Sequence, residues 1–144
     1  MSATELLKPV DRQLLGLLEL PDDLPERLSI AEAAAITGLT AHTLRYYERI
    51  GLVQVGRDDA GYRSYNQQAM ARIVFVTRLR ASGMSIGTVS HYLDLVLQGD
   101  HTEPQRLALM EEHRARIHQQ LHDLRLALAV TDYKITVYGG TAAP

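Results

Sequence analysis

The stretch that decides the fold is Thr40–Asn66, TAHTLRYYERIGLVQVGRDDAGYRSYN. Thr40 offers a hydroxyl N-cap, and Leu44, Tyr47 and Ile50 then recur at helical spacing until Gly51. Those three face inward, so His42, Arg45, Tyr46 and Arg49 project from the other side. Beyond Gly51 the pattern changes. Leu52–Val55 and Tyr62–Tyr65 have strand character, and Asp58-Asp59-Ala60-Gly61 supplies turn chemistry between them. The prediction is a short helix followed by a β-hairpin wing that carries exposed Arg57, Tyr62, Arg63 and Tyr65, with Gly61 in its turn.

Working towards the N-terminus, Ser29-Ile30-Ala31-Glu32 reads as a capping box. The alanine-rich AEAAAIT that follows stops at Gly38, a natural helix C-terminus. Two short helices joined by Thr37-Gly38-Leu39-Thr40 have the layout of a helix-turn-helix, and the small alanines let the second helix cross the first closely. Residues 1–27 read as a separate extension. Leu6, Leu7, Leu14, Leu15, Leu17 and Leu18 suit an amphipathic helix, interrupted near Pro9 and ended by Pro21 and Pro25.

Working towards the C-terminus, Asn66 caps a predicted helix over about 67–82, with Met70, Ile73, Val74 and Leu79 inward and Arg72, Arg78 and Arg80 outside. Gly83 ends it. Ser85 starts another, with Ile86, Val89, Leu93 and Val96 on one face and Gly99 as its stop. The last element, about 102–135, carries a heptad seam: Leu107, Met110, Arg114, Ile117, Leu121, Leu124, Leu128, Thr131 and Ile135 alternate in steps of three and four. Seven of these nine are apolar, more than a lone helix can bury, so the expected partner is a second copy of the chain. Residues 139–144 read as a frayed end.

Composition narrows the function. The chain has 144 residues and no cysteine, which excludes disulfides, thiolate nucleophiles and thiolate metal sites together. No apolar run reaches the roughly 20 residues that cross a bilayer, and the N-terminus lacks a signal pattern, so a cytoplasmic protein is expected. The net charge is −2, but it is unevenly spread. Residues 40–80 hold seven arginines against Glu48, Asp58 and Asp59, whereas the remainder holds eight basic and 14 acidic residues. A basic block on an acidic protein suits a phosphate-binding surface. Arginine suits bidentate guanine contact and tyrosine hydroxyls suit phosphate oxygens, so the outward set of the second helix points to DNA. An interaction adaptor that uses the coiled coil alone is the rival from another class, and the clustered Arg45, Arg63 and Tyr65 argue against it. No nucleophile–base pair, phosphate loop or metal-ligand spacing points to an enzyme.

The order of these elements, with Thr43-Leu44-Arg45-Tyr46-Tyr47-Glu48, then Gly51-Leu52, then Gly61-Tyr62-Arg63-Ser64-Tyr65, closely resembles the MerR family of transcription regulators. The resemblance covers roughly residues 28–138. It implies a mainly α fold: a winged helix-turn-helix at 28–98 with a small β-hairpin wing and a second helix pair, then a long dimerisation helix at 99–138. It implies a homodimer on promoter double-stranded DNA, held by an antiparallel coiled coil through Leu107, Met110, Ile117, Leu121, Leu124 and Leu128. By position, Arg45 would lie at base edges or an adjacent phosphate, with Tyr46, Arg63 and Tyr65 on the backbone and Thr40 and Thr43 at the mouth of the groove. Such regulators bend and untwist an over-long promoter spacer for RNA polymerase, a form of indirect readout.

Two departures from the family pattern bear on sensing. The proline common after the recognition helix is absent from Gly51-Leu52-Val53-Gln54-Val55. The cysteines of metal- and thiol-sensing members are absent from Gly99-Asp100-His101-Thr102 and from 137–144. Drug-sensing members carry a large extra C-terminal domain, and with only 139–144 after the coiled coil that branch is not the expected one. His113, His118 and His122 read as a hydrated helix face, so no metal or cofactor is assigned. A small-molecule or protein effector stays open, with His91, Tyr92, Tyr133 and Tyr138 as candidate lining for a ligand and residues 1–28 as a candidate dock for a protein.

Overall fold

The computed structural model describes residues 11–141. The chain forms two compact units that divide between Glu103 and Pro104. In chain order the elements are α1 (Asp11–Leu18), β1 (Arg27–Leu28), α2 (Ile30–Thr37), α3 (Ala41–Arg49), β2 (Gly56–Arg57), β3 (Arg63–Asn66), α4 (Gln67–Ala81), α5 (Ile86–Gln98), a single 3-10 turn at Asp100–Thr102, and α6 (Glu103–Val137).

The caps account for most of the helix boundaries. Ser29 and Glu32 form the expected box on α2, and Gly38 closes that helix in the left-handed conformation at φ 73°. Thr40, Asn66 and Ser85 each accept a backbone N–H at the start of α3, α4 and α5. Ala33 is fully buried, and Leu44 and Tyr47 of α3 are buried as their spacing predicts. On α4, Met70, Ile73 and Val74 are buried, while Leu79 is half-buried.

Several expectations change. Leu52–Val55 is not a strand: Leu52 and Val53 are buried in the connection after α3, and the strand is Gly56–Arg57. A short apolar pair fits a core plug as well as a strand, and periodicity alone does not separate them. The wing is not a bare hairpin either. β3 pairs antiparallel with β2 on one side and with β1 on the other, in a three-stranded sheet ordered β1-β3-β2. Arg72, expected outside α4, is half-buried. Its Nη1 donates to the Leu52 carbonyl at 3.4 Å, and burial pushes its pKa down.

A further change concerns the extension, which does not stand apart. The expected boundary at residue 27 falls inside β1, since Arg27 lies opposite Asn66 and Leu28 opposite Tyr65. Upstream, α1 packs on α4: Leu18 is buried with Ala71 and Val74, and Leu14, Leu20 and Phe75 close around them. Gln67 Nε2 donates to the Leu24 carbonyl at 3.4 Å, and Glu19 pairs with Arg78 at 3.6 Å. Leu6, Leu7 and Pro9 lie outside the described residues.

The second unit consists mainly of α6, 35 residues long, or about 52 Å at the α-helical rise. Leu107, Leu121, Leu124, Leu128 and Ile135 are exposed, and Met110 and Ile117 are half-buried. His118 and His122 are exposed as expected, whereas His113 is buried. Among the described residues no helix is long and apolar enough to cross a membrane.

Candidate nucleic-acid interface

The candidate surface is built on α3 and on the hairpin that follows it. With Leu44 and Tyr47 fixed in the core, the opposite side of α3 presents His42, Arg45 and Arg49 as exposed side chains and Tyr46 as a half-buried one. The Arg49 guanidinium lies over the Tyr46 ring, 5.3 Å from its centre, so the ring face steadies that charge. Arg45 makes no hydrogen bond or ion pair among the described residues, and its donors are free for a ligand. At the amino end of the helix, Thr40 Oγ1 accepts the Thr43 N–H at 3.1 Å and donates to the Thr43 hydroxyl at 3.0 Å. Both threonines are therefore engaged in the cap.

The wing turn forms as its residues predict. The Asp58 carboxylate accepts from the N–H groups of Ala60 at 3.0 Å and Tyr62 at 2.9 Å, and Gly61 takes φ 86°, a conformation glycine adopts without strain. Tyr62 is exposed at the tip. Arg57 and Arg63 lie directly opposite each other in the β2–β3 register. An open concavity of about 350 Å³ brings these pieces together: Arg45 from α3, Arg57, Tyr62 and Arg63 from the wing, and Ser29 to Ala31 at the start of α2. Three cationic side chains and the positive end of a helix dipole line it beside one carboxylate, Asp58, which the turn N–H groups already engage, a balance suited to phosphate.

Tyr65 is a correction. Expected to be exposed beside Arg63, it is instead fully buried, and its hydroxyl has no hydrogen-bond partner among the described residues. Pairing with β1 makes β3 the central strand, and β3 also packs on α2 and α4, so Tyr65 becomes core. Burial, aided by the Glu48 charge, pushes its phenol pKa up.

Glu48 is the residue that sequence reading missed. Its Oε1 accepts from Arg63 Nε at 2.7 Å and its Oε2 from Arg57 Nη1 at 3.2 Å, tying the last turn of α3 to both strands of the wing. Burial alone would raise its pKa. Hydrogen bonds and charge from Arg63 and Arg57 outweigh burial and hold the carboxyl below its usual range. An acid among the arginines of the basic block, on the helix and outside the Asp58-Asp59 turn, was the available signal. Of the other sequence candidates, His91 is exposed and Tyr92 half-buried on α5, and Tyr133 and Tyr138 are exposed in the second unit.

A helix-turn-helix whose second helix carries an exposed basic face, followed by an arginine-bearing wing, defines the winged helix-turn-helix class of DNA-binding proteins. Two family models agree: one for the MerR HTH family regulatory proteins matches residues 28–95, and one described as MerR, DNA binding matches 70–130. The chain is 40% identical over 91 residues to the HTH-type transcriptional regulator AdhR of Bacillus subtilis, covering 62% of this chain and 65% of that one. It is 31% identical over 109 residues to an uncharacterised HTH-type transcriptional regulator of Haemophilus influenzae, covering 75% and 81%. Among solved structures it resembles HiNmlR, a MerR family regulator lacking the sensor domain and bound to promoter DNA, with a TM-score of 0.70, 30% identity, and coverage of 78% and 90%. A MerR family transcriptional regulator from Bacillus thuringiensis gives a TM-score of 0.67 at 29% identity, covering 78% and 99%. The chain belongs to the MerR family of DNA-binding transcription regulators.

Proposed function

We propose that this protein binds promoter DNA as a homodimer and activates transcription by bending and untwisting an over-long spacer for RNA polymerase. The observation that carries the reading is the concavity in which unpaired Arg45 of α3 meets Arg57 and Arg63 of the wing. In this reading α3 enters the major groove, where Arg45 reaches base edges and His42 and Arg49 flank it. Tyr46, Arg57, Tyr62 and Arg63 meet backbone phosphates, which fix register without reading sequence.

Dimerisation rests on α6. Its exposed Leu107, Leu121, Leu124 and Leu128, with Met110 and Ile117, line one seam over three heptads, which an antiparallel pairing of two copies would bury. A dimer brings two recognition helices to one DNA site, and a grip on both halves can distort what lies between. The deformation costs a few kcal/mol and is offset by contacts at both ends. The reading does not require an effector. A partner-controlled regulator is the second reading: α1 packs Leu18 against α4 and keeps Leu17 exposed.

The test is transcription in vitro from promoters that differ only in spacer length. Activation should appear on a lengthened spacer and vanish when the spacer is shortened to the length polymerase prefers, with circular-permutation gels showing a bend in the bound DNA. Equal activation at every spacer length, with straight DNA, would contradict it.

A further inference from the structure

We infer that Glu48 is a positioning residue for DNA binding: its carboxylate holds Arg57 and Arg63 of the wing in the arrangement that meets the phosphate backbone. The inference rests on the proposed DNA face and deepens it.

A carboxylate within a DNA-binding surface calls for a reason, because bare negative charge repels phosphate. The geometry supplies one. Arg57 and Arg63 are partners across an antiparallel pair, and like charges directly opposite destabilise such a pair. Glu48 stands between them with one oxygen for each. It also takes only part of each guanidinium. Arg63 donates through Nε, which leaves both of its Nη groups; Arg57 donates through Nη1, which also reaches the Gly56 carbonyl at 3.3 Å and leaves Nη2. Both arginine side chains keep substantial exposure, 45% and 32%, whereas Glu48 retains 20%. The carboxylate therefore sits behind two fixed cations whose remaining donors are available. It also couples helix to wing. Glu48 lies on the last turn of α3 and Arg63 begins β3, so the wing cannot swing away from the recognition helix without breaking a charged hydrogen bond.

Two physical roles predict opposite signs for Glu48→Gln. If Glu48 only subtracts charge, removing it makes the surface more positive, tightens DNA binding and steepens the salt dependence. If it positions the arginines, the variant binds about tenfold more weakly, and the slope of log affinity against log salt shallows by about one for each phosphate that the wing no longer neutralises.

The experiment measures affinity and salt slope for the full-length wild type, E48Q, R63Q and the double variant on one selected DNA duplex, with thermal melts alongside. The expected result is weaker, less salt-dependent binding by E48Q, a similar weakening in R63Q, and little further weakening in the double variant, at near-wild-type melting temperature. Should E48Q melt early, Glu48→Asp keeps the charge but withdraws it by one carbon from both arginines, and it must show the weaker binding and the shallower slope for the inference to stand. Tighter or unchanged binding by E48Q, or independent effects that add in the double variant, overturns it. Arg45→Ala on the same duplex separates the two readings. Weaker binding by R45A but not E48Q overturns only the positioning role; unchanged binding by both overturns the DNA face as well.

Discussion

Leu28 lies directly opposite Tyr65 across the β1–β3 pair, and both side chains are buried, at 3% and 0% exposure. The segment before the helix-turn-helix is thereby stitched into the sheet that carries the wing. A tyrosine that would otherwise stand on the wing is sealed into the core. Its hydroxyl is buried without a partner among the described residues.

Tyr65 is therefore a packing residue with one uncompensated polar atom. Tyr65→Phe should leave stability unchanged or raise it by up to about 1 kcal/mol, because an unsatisfied buried hydroxyl is costly. Tyr65→Ala should cost about 3–5 kcal/mol through the cavity it opens. Urea unfolding of both variants measures this, and DNA affinity of the phenylalanine variant should match wild type. A clear drop in affinity there would return Tyr65 to the DNA face.

The α1 helix contributes to the stability of the DNA-binding unit. Leu18 is buried against Ala71 and Val74 of α4, so Leu18→Ala should lower unfolding free energy by about 2–3 kcal/mol. Exposed Leu17, one residue earlier, should tolerate alanine with little change. Equal tolerance at both positions in thermal melts would show α1 to be detached from α4.

The Glu48 ion pairs predict an acid-side effect whose sign is fixed. The folded-state pKa is lowered, because the hydrogen bonds and charge of Arg63 and Arg57 outweigh burial, so the stabilisation is present above the ordinary value of 4.5 and is lost as pH falls through the lower folded value. The pair is partly exposed, and its contribution should stay below about 1 kcal/mol. Unfolding of wild type and E48Q compared from pH 7 downwards should show a gap at neutral pH that closes on the acid side of 4.5. A gap that widens in acid would contradict the assignment.

The α6 seam predicts assembly. Leu121→Glu with Leu124→Glu places charges at the middle of the repeat and should yield monomers in sedimentation, with DNA binding largely abolished. Leu126 and Val130, exposed on the same helix but off the seam, should accept polar substitution without changing the sedimenting species. A dimer that survives the double charge would show that the seam is not the interface.

Local signals made much of this fold legible. The capping residues Ser29, Thr40, Asn66 and Ser85 each mark a helix start, and the inward set Leu44 and Tyr47 follows from a period of 3.6. The outward set on α3 was legible for the same reason. What escaped depends on long-range pairing. Nothing within Glu26-Arg27-Leu28 announces that it will lie beside β3, 37 residues on, and that single pairing decides the fate of Tyr65. Glu48 escaped in the same way, because its partners are nine and 15 residues distant and meet it only once the wing folds back. Arg72 reads as another outward arginine until the Leu52 carbonyl reaches it.

The most direct test of the central claim is the affinity of Arg45→Ala for an operator duplex selected from random sequence by the wild-type protein, measured at fixed salt with the dimer state checked in parallel. The account predicts a weakening of about 1–3 kcal/mol and relaxed preference at the contacted base pair. Wild-type affinity and wild-type sequence preference in a fully folded Arg45→Ala protein would contradict it.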